Sequence, residues 1–425
     1  MTDIDCISIP VSGPIDGSIR VPGSKSITNR AILVASLAKG RSSLQGVLHS
    51  DDTRYMREAW KNVGAEFRED GNVLMVNGCD GRPQSCPRPI YVGNAGTAAR
   101  FLTASLILGS GEYIVTGNGR MRQRPIVDLI EGLRRLGGQV EDILRTGCPP
   151  LRISAGVLRG GSVSIPGGNS SQYISAIMMA APFAQNKTTI HIEGDLVSRT
   201  YVEMTRKVMA DFGVACAWEG SDTLSIEANR RYWAREYAIE ADASAASYFL
   251  GMAAVTGGTV TVEGIEENST QGDARLVGIL ERMGCRVSRG KRSITLQGGK
   301  LGAVDVDMNT MSDVAPTLAV VALFADGQTT IRNVENMRIK ECDRISALVE
   351  ELGKLDAKVE EFPDGLKIQG GGKYRGAVIE TYDDHRMAMS MTLAGVRIPG
   401  VKIRNPGCVS KTYPDFFRDF MALVR

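Results

Sequence analysis

GTVTVEG, residues 258–264, alternates polar and apolar residues with period two and stops on a glycine, the pattern of a half-buried strand. The same ending recurs along the chain: LQG (44–46), VTG (115–117), IEG (192–194), VEG (262–264), IRN (331–333) and IRN (403–405). Successive endings lie 71, 77, 70, 69 and 72 residues apart. A second element keeps the same beat. Ala-rich apolar stretches open at Ser24, Asn94, Ser170, Asp242, Ser312 and Asp383, each with polar residues. A fixed period of this length means repeated supersecondary units, so the architecture follows from the repeat.

One unit illustrates the pattern. After GTVTVEG, residues 268–274 (NSTQGDA) read as a loop of turn and capping residues. Residues 274–284 (ARLVGILERMG) place Leu276, Val277, Ile279, Leu280 and Met283 on a helical stripe that Gly284 ends. CRVSRG and SITLQGG then read as a hairpin. Gly64, Gly137 and Gly213 match Gly284, and Asp356 takes that place in the fifth unit. The Ala-rich helices are apolar nearly all round, so they belong inside a core. Three would bundle in parallel inside each domain, their N-termini forming a donor-rich, positive surface. Two such surfaces facing each other would make a cleft for an anionic ligand.

At 425 residues the chain exceeds one ordinary core, and six units divide into three and three. The expected domains are residues 21–239, and residues 1–20 with 240–425, the sixth unit closing on the N-terminal segment. Two crossings between domains make a hinge, so closure on ligand is expected. Net charge is +2, which excludes a strong basic field and with it nucleic acid as main partner. Eight scattered cysteines, no CxxC pair and three histidines argue against a zinc site and for reduced thiols. The start, MTDIDCISIP, lacks a secretory n-region and h-region, and no transit segment is evident, so the expected location is cytoplasmic. Apolar runs such as LAVVALFA (318–325) fall short of the ~20 residues that span a bilayer, so no membrane partner is expected.

The polar helix starts carry the chemistry. PGSKSITNR (22–30) puts Lys25, Ser26 and Arg30 at one entrance, where they can hold phosphate or carboxylate by charge-assisted bonds. It is not a P-loop, because Ser24 separates Gly23 from Lys25. GNAGTAAR (93–100) offers Asn94 as a cap, small residues at Gly96 for close approach, and Arg100 two turns in. GNGRMRQRP (117–125) holds Arg120, Arg122 and Arg124, with Pro125 suited to the first helical position. GGNSSQY (167–173) presents Ser170, Ser171 and Gln172, and GDLVSRTY (194–201) adds Ser198 and Tyr201. Each could be a phosphate cradle or simply a capped helix. In the second half, Asp313 begins a buried helix at MSDVAPT. NMRIKECDR (336–344) carries Arg338, Lys340, Glu341 and Arg344; YDDHRMA (382–388) carries His385 and Arg386; Lys411 follows in CVSKTYPD. Acids among bases can serve as proton donors and acceptors.

PGSKSITNR, GNAGTAAR, RMRQRP, SSQY, KECDR and DDHRMAM together resemble the signatures of the 3-phosphoshikimate 1-carboxyvinyltransferase (EPSP synthase) family of enolpyruvyl transferases. The likeness runs from Pro22 to Pro414. It implies an α/β (α+β) fold: a two-domain inside-out barrel, each domain three repeated βαβαββ units around buried parallel helices. It implies transfer of the enolpyruvyl group of phosphoenolpyruvate to the 5-hydroxyl of shikimate 3-phosphate, by addition and elimination. No metal or organic cofactor is implied, the active site is complete in one chain, and a monomer is expected.

Carried over by motif, Ser26 and Arg30 hold the shikimate carboxylate. Ser170, Ser171 and Ser198 receive its 3-phosphate, with Tyr201 and Lys340 nearby, Gln172 along the ring, and Asn336 helping to place it. Asp313 contacts the ring hydroxyls and accepts a proton. Lys25, Asn94, Gly96, Arg124, Gln172, Arg344, Arg386 and Lys411 bind phosphoenolpyruvate. Lys25 also touches shikimate 3-phosphate and belongs with the catalytic groups. Glu341 is the candidate proton donor to C3, with His385 beside it.

The sister enzyme that transfers enolpyruvyl to a UDP-sugar typically has a Lys–Asn pair in its first motif and a reactive Cys in a mobile loop. Here Ser26 follows Lys25, and the loop from Arg120 to Arg124 has no Cys. RNA 3′-phosphate cyclases share the repeat but need a basic RNA surface. A non-catalytic anion-binding scaffold would not need acids and bases gathered at one position of several repeats. Many relatives follow the Arg of the AGTA motif with Pro and precede it with Met. Phe101 and Ala99 stand there, which predicts a slightly different start to the helix after Gly96. Gly96 itself implies the class inhibited by glyphosate in competition with phosphoenolpyruvate. Gly96→Ala should therefore weaken the inhibitor more than the substrate, and an unchanged glyphosate inhibition constant in that variant would refute this.

Overall fold

Each of the six recurring endings closes the inner strand of a small mixed sheet. The structure, a computed structural model, describes residues 5–424; residues 1–4 and 425, part of the second expected domain, lie outside the described residues. Among the described residues, five sheets have four strands in one order: a parallel edge strand, the inner strand, then the two arms of an antiparallel hairpin. Thr259–Glu263, for example, runs parallel to Asp16–Arg20 and antiparallel to Ser293–Gln297, which pairs with Arg286–Gly290. The sixth sheet sets Lys402–Arg404 between Val378–Ile379 and Cys6–Ser8. Gly46, Gly194, Gly264, Asn333 and Asn405 take positive φ, where glycine and asparagine are least penalised. At Gly117 the constraint is space instead: a Cβ would lie 2.3 Å from the Gly93 carbonyl oxygen.

The chain forms two compact units, Gly23–Ile239, and Met1–Pro22 with Glu240–Arg425. In the Gly23–Ile239 unit, Glu236–Ala238 returns from the end of the segment to pair in parallel with Arg41–Gln45. Three helices of this unit are enclosed: Lys25–Leu37, Gly96–Ser105 and Ser171–Ala180. Every residue of Gly96–Ser105 is buried. Asp51–Asn62, Val127–Arg135 and Arg199–Asp211 are amphipathic and bury one face each.

The other unit encloses Ala243–Thr256, Ala315–Ala322 and His385–Gly395. These three meet at successive levels. Near their starts, Arg386 Nη2 reaches Ser244 Oγ at 3.3 Å and Asp313 Oδ2 at 2.7 Å. A turn further on, Ser247, Thr317 and Ser390 form a hydroxyl ladder with spacings of 3.0 and 3.4 Å. Beyond it, a Cβ on Gly251 would lie 2.5 Å from Leu393 Cδ2 and 3.1 Å from Thr317 Cγ2, so a small residue permits the approach. No helix among the described residues is long and apolar enough to cross a membrane.

Four local expectations need correction. Ala95, not Asn94, precedes the Gly96–Ser105 helix, because both Asn94 oxygens accept from Arg124 Nη1. Arg100 consequently lies one turn into that helix rather than two. Pro125 is not the first residue of the next helix, which starts at Val127; its carbonyl instead accepts from Arg100 Nη2 at 2.9 Å and the Tyr173 hydroxyl at 2.7 Å. Asp313 sits in the 3-10 turn Asn309–Val314 ahead of its helix.

The helix stops follow one rule. Gly64, Gly137, Gly213, Gly284 and Asp356 stand two residues past the helices ending at Asn62, Arg135, Asp211, Arg282 and Lys354, and all five have positive φ. At Gly284 (φ 112°) a Cβ would also lie 2.4 Å from the Lys300 carbonyl oxygen. Gly284→Ala should cost about 2–3 kcal/mol. Asp356→Gly should stay within about 1 kcal/mol of the parent, since glycine relieves the left-handed backbone and only an exposed ion pair with Arg375 is lost. Urea unfolding of both variants checks the contrast.

Candidate functional site

In the Gly23–Ile239 unit most anticipated residues lie at the starts of the enclosed helices, whereas Arg124 follows a 3-10 turn and Ser198 and Tyr201 open Arg199–Asp211. Ser24 caps the first by accepting from the Ile27 N–H. Lys25 follows, with Nζ 3.6 Å from Asp52 Oδ2, an acid that the sequence reading left unassigned. Arg30, one turn on, is 1% exposed. Its Nε donates to Thr205 Oγ1 (2.7 Å), Nη1 to the Ser26 carbonyl (3.0 Å), and Nη2 to Ser175 Oγ and the Tyr201 carbonyl. The guanidinium also lies over the Phe101 ring, 5.1 Å from its centroid, and 5.8 Å from that of Tyr201. Burial lowers the Arg30 pKa to about 10. Phe101, the departure from the family pattern, thus forms part of the bed on which Arg30 rests.

The Gly96 end is built around Arg124, which is buried and donates to the Asn94 carbonyl (3.1 Å) and side-chain oxygen (3.2 Å). A Cβ on Gly96 would stand 2.6 Å from Arg124 Nη2, so only glycine leaves that guanidinium in place. Gln172 reaches the same helix start, its Nε2 donating to Thr97 Oγ1 at 3.4 Å. Arg100 donates to the Gly96 and Pro125 carbonyls and so ties the arginine loop to the helix. Of that loop, Arg124 is buried and Arg122 exposed.

Ser170 caps the third helix by accepting from the Gln172 N–H, and Ser171 is buried behind it. Ser198 is buried and precedes Arg199–Asp211 with φ 54°, and its hydroxyl does not cap that helix. A left-handed serine is costly for a non-glycine residue and is the sort of strain that collects at functional sites.

The other unit joins Asp313, Lys340, Glu341, Arg344, Arg386 and Lys411 with Asp384 in one ionic network, which His385 borders. Asp313 Oδ1 lies 3.3 Å from Arg344 Nη1 and 3.6 Å from Lys340 Nζ; its Oδ2 accepts from Arg386 Nη2 at 2.7 Å. Arg344 also donates to Asp384 through Nε (2.7 Å) and Nη2 (3.1 Å), and to Glu341 at 2.8 Å. Burial alone would lower the Arg344 pKa; the carboxylates of Asp384, Glu341 and Asp313 more than reverse this and raise it. Lys411 Nζ stands 3.7 Å from Glu341 Oε1, so Glu341 lies between two cations. His385 Nδ1 is 3.6 Å from Asp384 Oδ1, and Asn336 donates to Ser312 Oγ at 3.2 Å.

Two acids of this network escaped the sequence reading. Asp384 is one of two adjacent acids in YDDHRMA, where no local pattern gives it a role. It caps the Arg386 N–H and grips Arg344 through both oxygens, and its only sequence signal is its place before an apolar helix. Asp273 is buried and bonds to the Ser244 hydroxyl, which in turn accepts from Arg386. Nothing in the run QGDA marks it. Burial pushes the Asp273 carboxyl up to about 7, and the nearby Asp313 charge adds to this. The described residues contain no group of three or more His, Cys, Asp or Glu arranged to hold a metal ion.

The raised Asp273 value has a stability consequence. Between ~4, its unfolded value, and about 7, the folded chain binds this proton and the unfolded chain does not, so stability falls as pH rises through that window. Asp273→Asn should remove this part of the fall. Urea midpoints across the window read it, and identical pH slopes for variant and parent would contradict it.

Residues 10–420 match the family model described as EPSP synthase (3-phosphoshikimate 1-carboxyvinyltransferase). Among curated relatives, the 3-phosphoshikimate 1-carboxyvinyltransferase of Trichormus variabilis is 44% identical over 99% of this chain and 100% of its own. That of Aliivibrio salmonicida is 46% identical over 96% of both, and the chloroplastic one of Brassica napus 47% over 97% of this chain and 84% of its own. A solved EPSP synthase from Acinetobacter baumannii superposes with a TM-score of 0.82 at 25% identity, covering 98% of this chain and 97% of that one. The chain, a mixed α/β protein of repeated small sheets, therefore belongs to the EPSP synthase family.

Proposed function

We propose that this protein transfers the enolpyruvyl group of phosphoenolpyruvate to the 5-hydroxyl of shikimate 3-phosphate, releasing phosphate and 5-enolpyruvylshikimate 3-phosphate. The observation that carries the reading is the company of Asp313: a carboxylate with Lys340, Arg344 and Arg386 around it, at the starts of enclosed helices. So many preorganised cations suit a reaction that gathers two phosphates and two carboxylates. The finer fold belongs to this reading: a two-domain inside-out barrel with parallel inner helices. The three levels of contact among the Ala243–Thr256, Ala315–Ala322 and His385–Gly395 helices support it.

In this reading Ser26 and Arg30 meet the shikimate carboxylate, and Ser170, Ser171 and Ser198 its phosphate, with Tyr201, Gln172, Asn336 and Lys340 alongside. Arg30 already donates four hydrogen bonds to the protein, which fixes its plane before substrate arrives. Lys25, Asn94, Gly96, Arg124, Gln172, Arg344, Arg386 and Lys411 hold phosphoenolpyruvate. The substrate's anions compete with carboxylates for Arg344, Arg386 and Lys411, and so take over cations that now sit on Glu341 and Asp313. Glu341, thus released from its two cations, takes up a proton from solvent and gives it to C3 while the 5-hydroxyl oxygen attacks C2 and Asp313 takes the hydroxyl proton. Elimination then returns a proton from C3 to the Glu341 carboxylate and breaks the C2–O bond to phosphate, which leaves with the proton that Asp313 held, so that the new enol ether forms. His385 and Lys25 complete the charged surroundings of these transfers. One chain carries every residue named, which supports a monomer.

Phosphate release by the purified protein tests the assignment. It should require shikimate 3-phosphate and phosphoenolpyruvate together, persist in EDTA, and yield a product with the mass of the enolpyruvyl ether. Release with a UDP-sugar acceptor instead would move the protein to the sister activity.

A further inference from the structure

Glu351 is a fully buried carboxylate for which the reaction above has no use. It lies on the Arg344–Lys354 helix, seven residues after Arg344 and hence two turns along the same face. Its oxygens accept from Lys354 Nζ at 2.7 and 2.9 Å, from the Glu380 N–H at 3.0 Å and from the Tyr382 hydroxyl at 2.6 Å. A buried charge needs this many donors. Two of the partners, however, are not on its own helix. They belong to the turn that leads into His385–Gly395.

That turn is unusual. Tyr382 and Asp383 both take left-handed backbone, with φ of 55° and 54°, although neither is glycine. Such conformers persist only where the surroundings over-determine them. Glu351 holds one side through Glu380 and Tyr382, and Asn405 Nδ2 holds Asp383 Oδ1 at 3.2 Å. Arg404 bonds to the Glu380 side chain as well. The next residue out of the turn is Asp384, which grips Arg344 with both oxygens and caps the N–H of Arg386. One helix face thus grasps this segment at two points, through Glu351 before the left-handed pair and through Arg344 after it.

We propose that Glu351 is a positioning residue for the Arg344 and Arg386 pair: it fixes the turn at Tyr382 and Asp383 so that Asp384 meets both arginines. The proposal rests on the reading that these two arginines bind phosphoenolpyruvate. Glu351 touches no substrate in it. Its influence passes through the Tyr382 hydroxyl and the Glu380 N–H to Asp384, and from Asp384 to the Arg344 guanidinium and the Arg386 backbone N–H.

The test is steady-state kinetics of Tyr382→Phe, Glu351→Gln and Arg344→Lys, with thermal melts of each. Tyr382→Phe keeps the ring and removes only the hydroxyl, with its bond to Glu351 and its contact with Glu350. Its KM for phosphoenolpyruvate should rise about fivefold, the weight of one net hydrogen bond, while kcat and the KM for shikimate 3-phosphate stay within about twofold. Glu351→Gln retains an acceptor for Tyr382 and should raise the same KM less. A purely structural role would lower the melting temperature and the active fraction but leave both KM values unchanged, and that result overturns the proposal. Arg344→Lys separates the two claims. If it raises the KM for phosphoenolpyruvate and Tyr382→Phe does not, the positioning role fails alone. If Arg344→Lys leaves that KM unchanged, the assignment of the anion site fails and the proposal with it.

Discussion

A helix without a polar face has to be enclosed on every side, and this demand organises the whole chain. No single repeat of about seventy residues can wrap its own Ala-rich helix. Three of them can, with sheets and amphipathic helices outside and small residues such as Gly251 where helices touch. Along such helices the interior tolerates hydroxyls that satisfy one another, as Ser247, Thr317 and Ser390 do. Charge is confined to the first two turns, close to the backbone N–H groups that lack helical partners. The position of the chemistry is therefore a by-product of how the core closes.

The charged residues at those starts solve a common problem in two ways. Arg30 is held by neutral acceptors, two carbonyls and two hydroxyls, so it keeps its positive charge. Arg344 and Arg386 are held by carboxylates, so they are positioned but locally neutralised. In the proposed reading, an anion that binds Arg30 meets a preset field, whereas one that binds Arg344 or Arg386 displaces carboxylates. The carboxylate candidates for proton transfer, Asp313 and Glu341, sit beside these two arginines, where carboxylates are part of the framework.

The repeat, the strand endings and the helix stops were legible because each depends on local chemistry: alternation, or a residue suited to positive φ. Even Asp356 could be placed by counting, although it is not glycine. The motif residues were legible as polar punctuation before apolar runs. What escaped were partners distant in sequence. Asp52 opposite Lys25, Asp384 under Arg344 and Asp273 behind Ser244 look in the sequence like ordinary surface acids. Asn94 was misread for the same reason: its capping propensity was real, but Arg124, thirty residues away, claims its oxygens. Short-range preference gives way wherever a buried guanidinium needs acceptors.

The sixth sheet joins Cys6–Ser8 to Lys402–Arg404, with Cys6 opposite Arg404. During synthesis at roughly 5–20 residues per second, that first strand emerges some 20–80 s before its partner exists. Asp16–Arg20 likewise waits for Thr259–Glu263. Meanwhile every strand of the Gly23–Ile239 unit has left the ribosome. The nascent chain thus carries a finished globule behind an unpaired leader, and the leader's alternating residues must stay out of other sheets until the last repeat arrives.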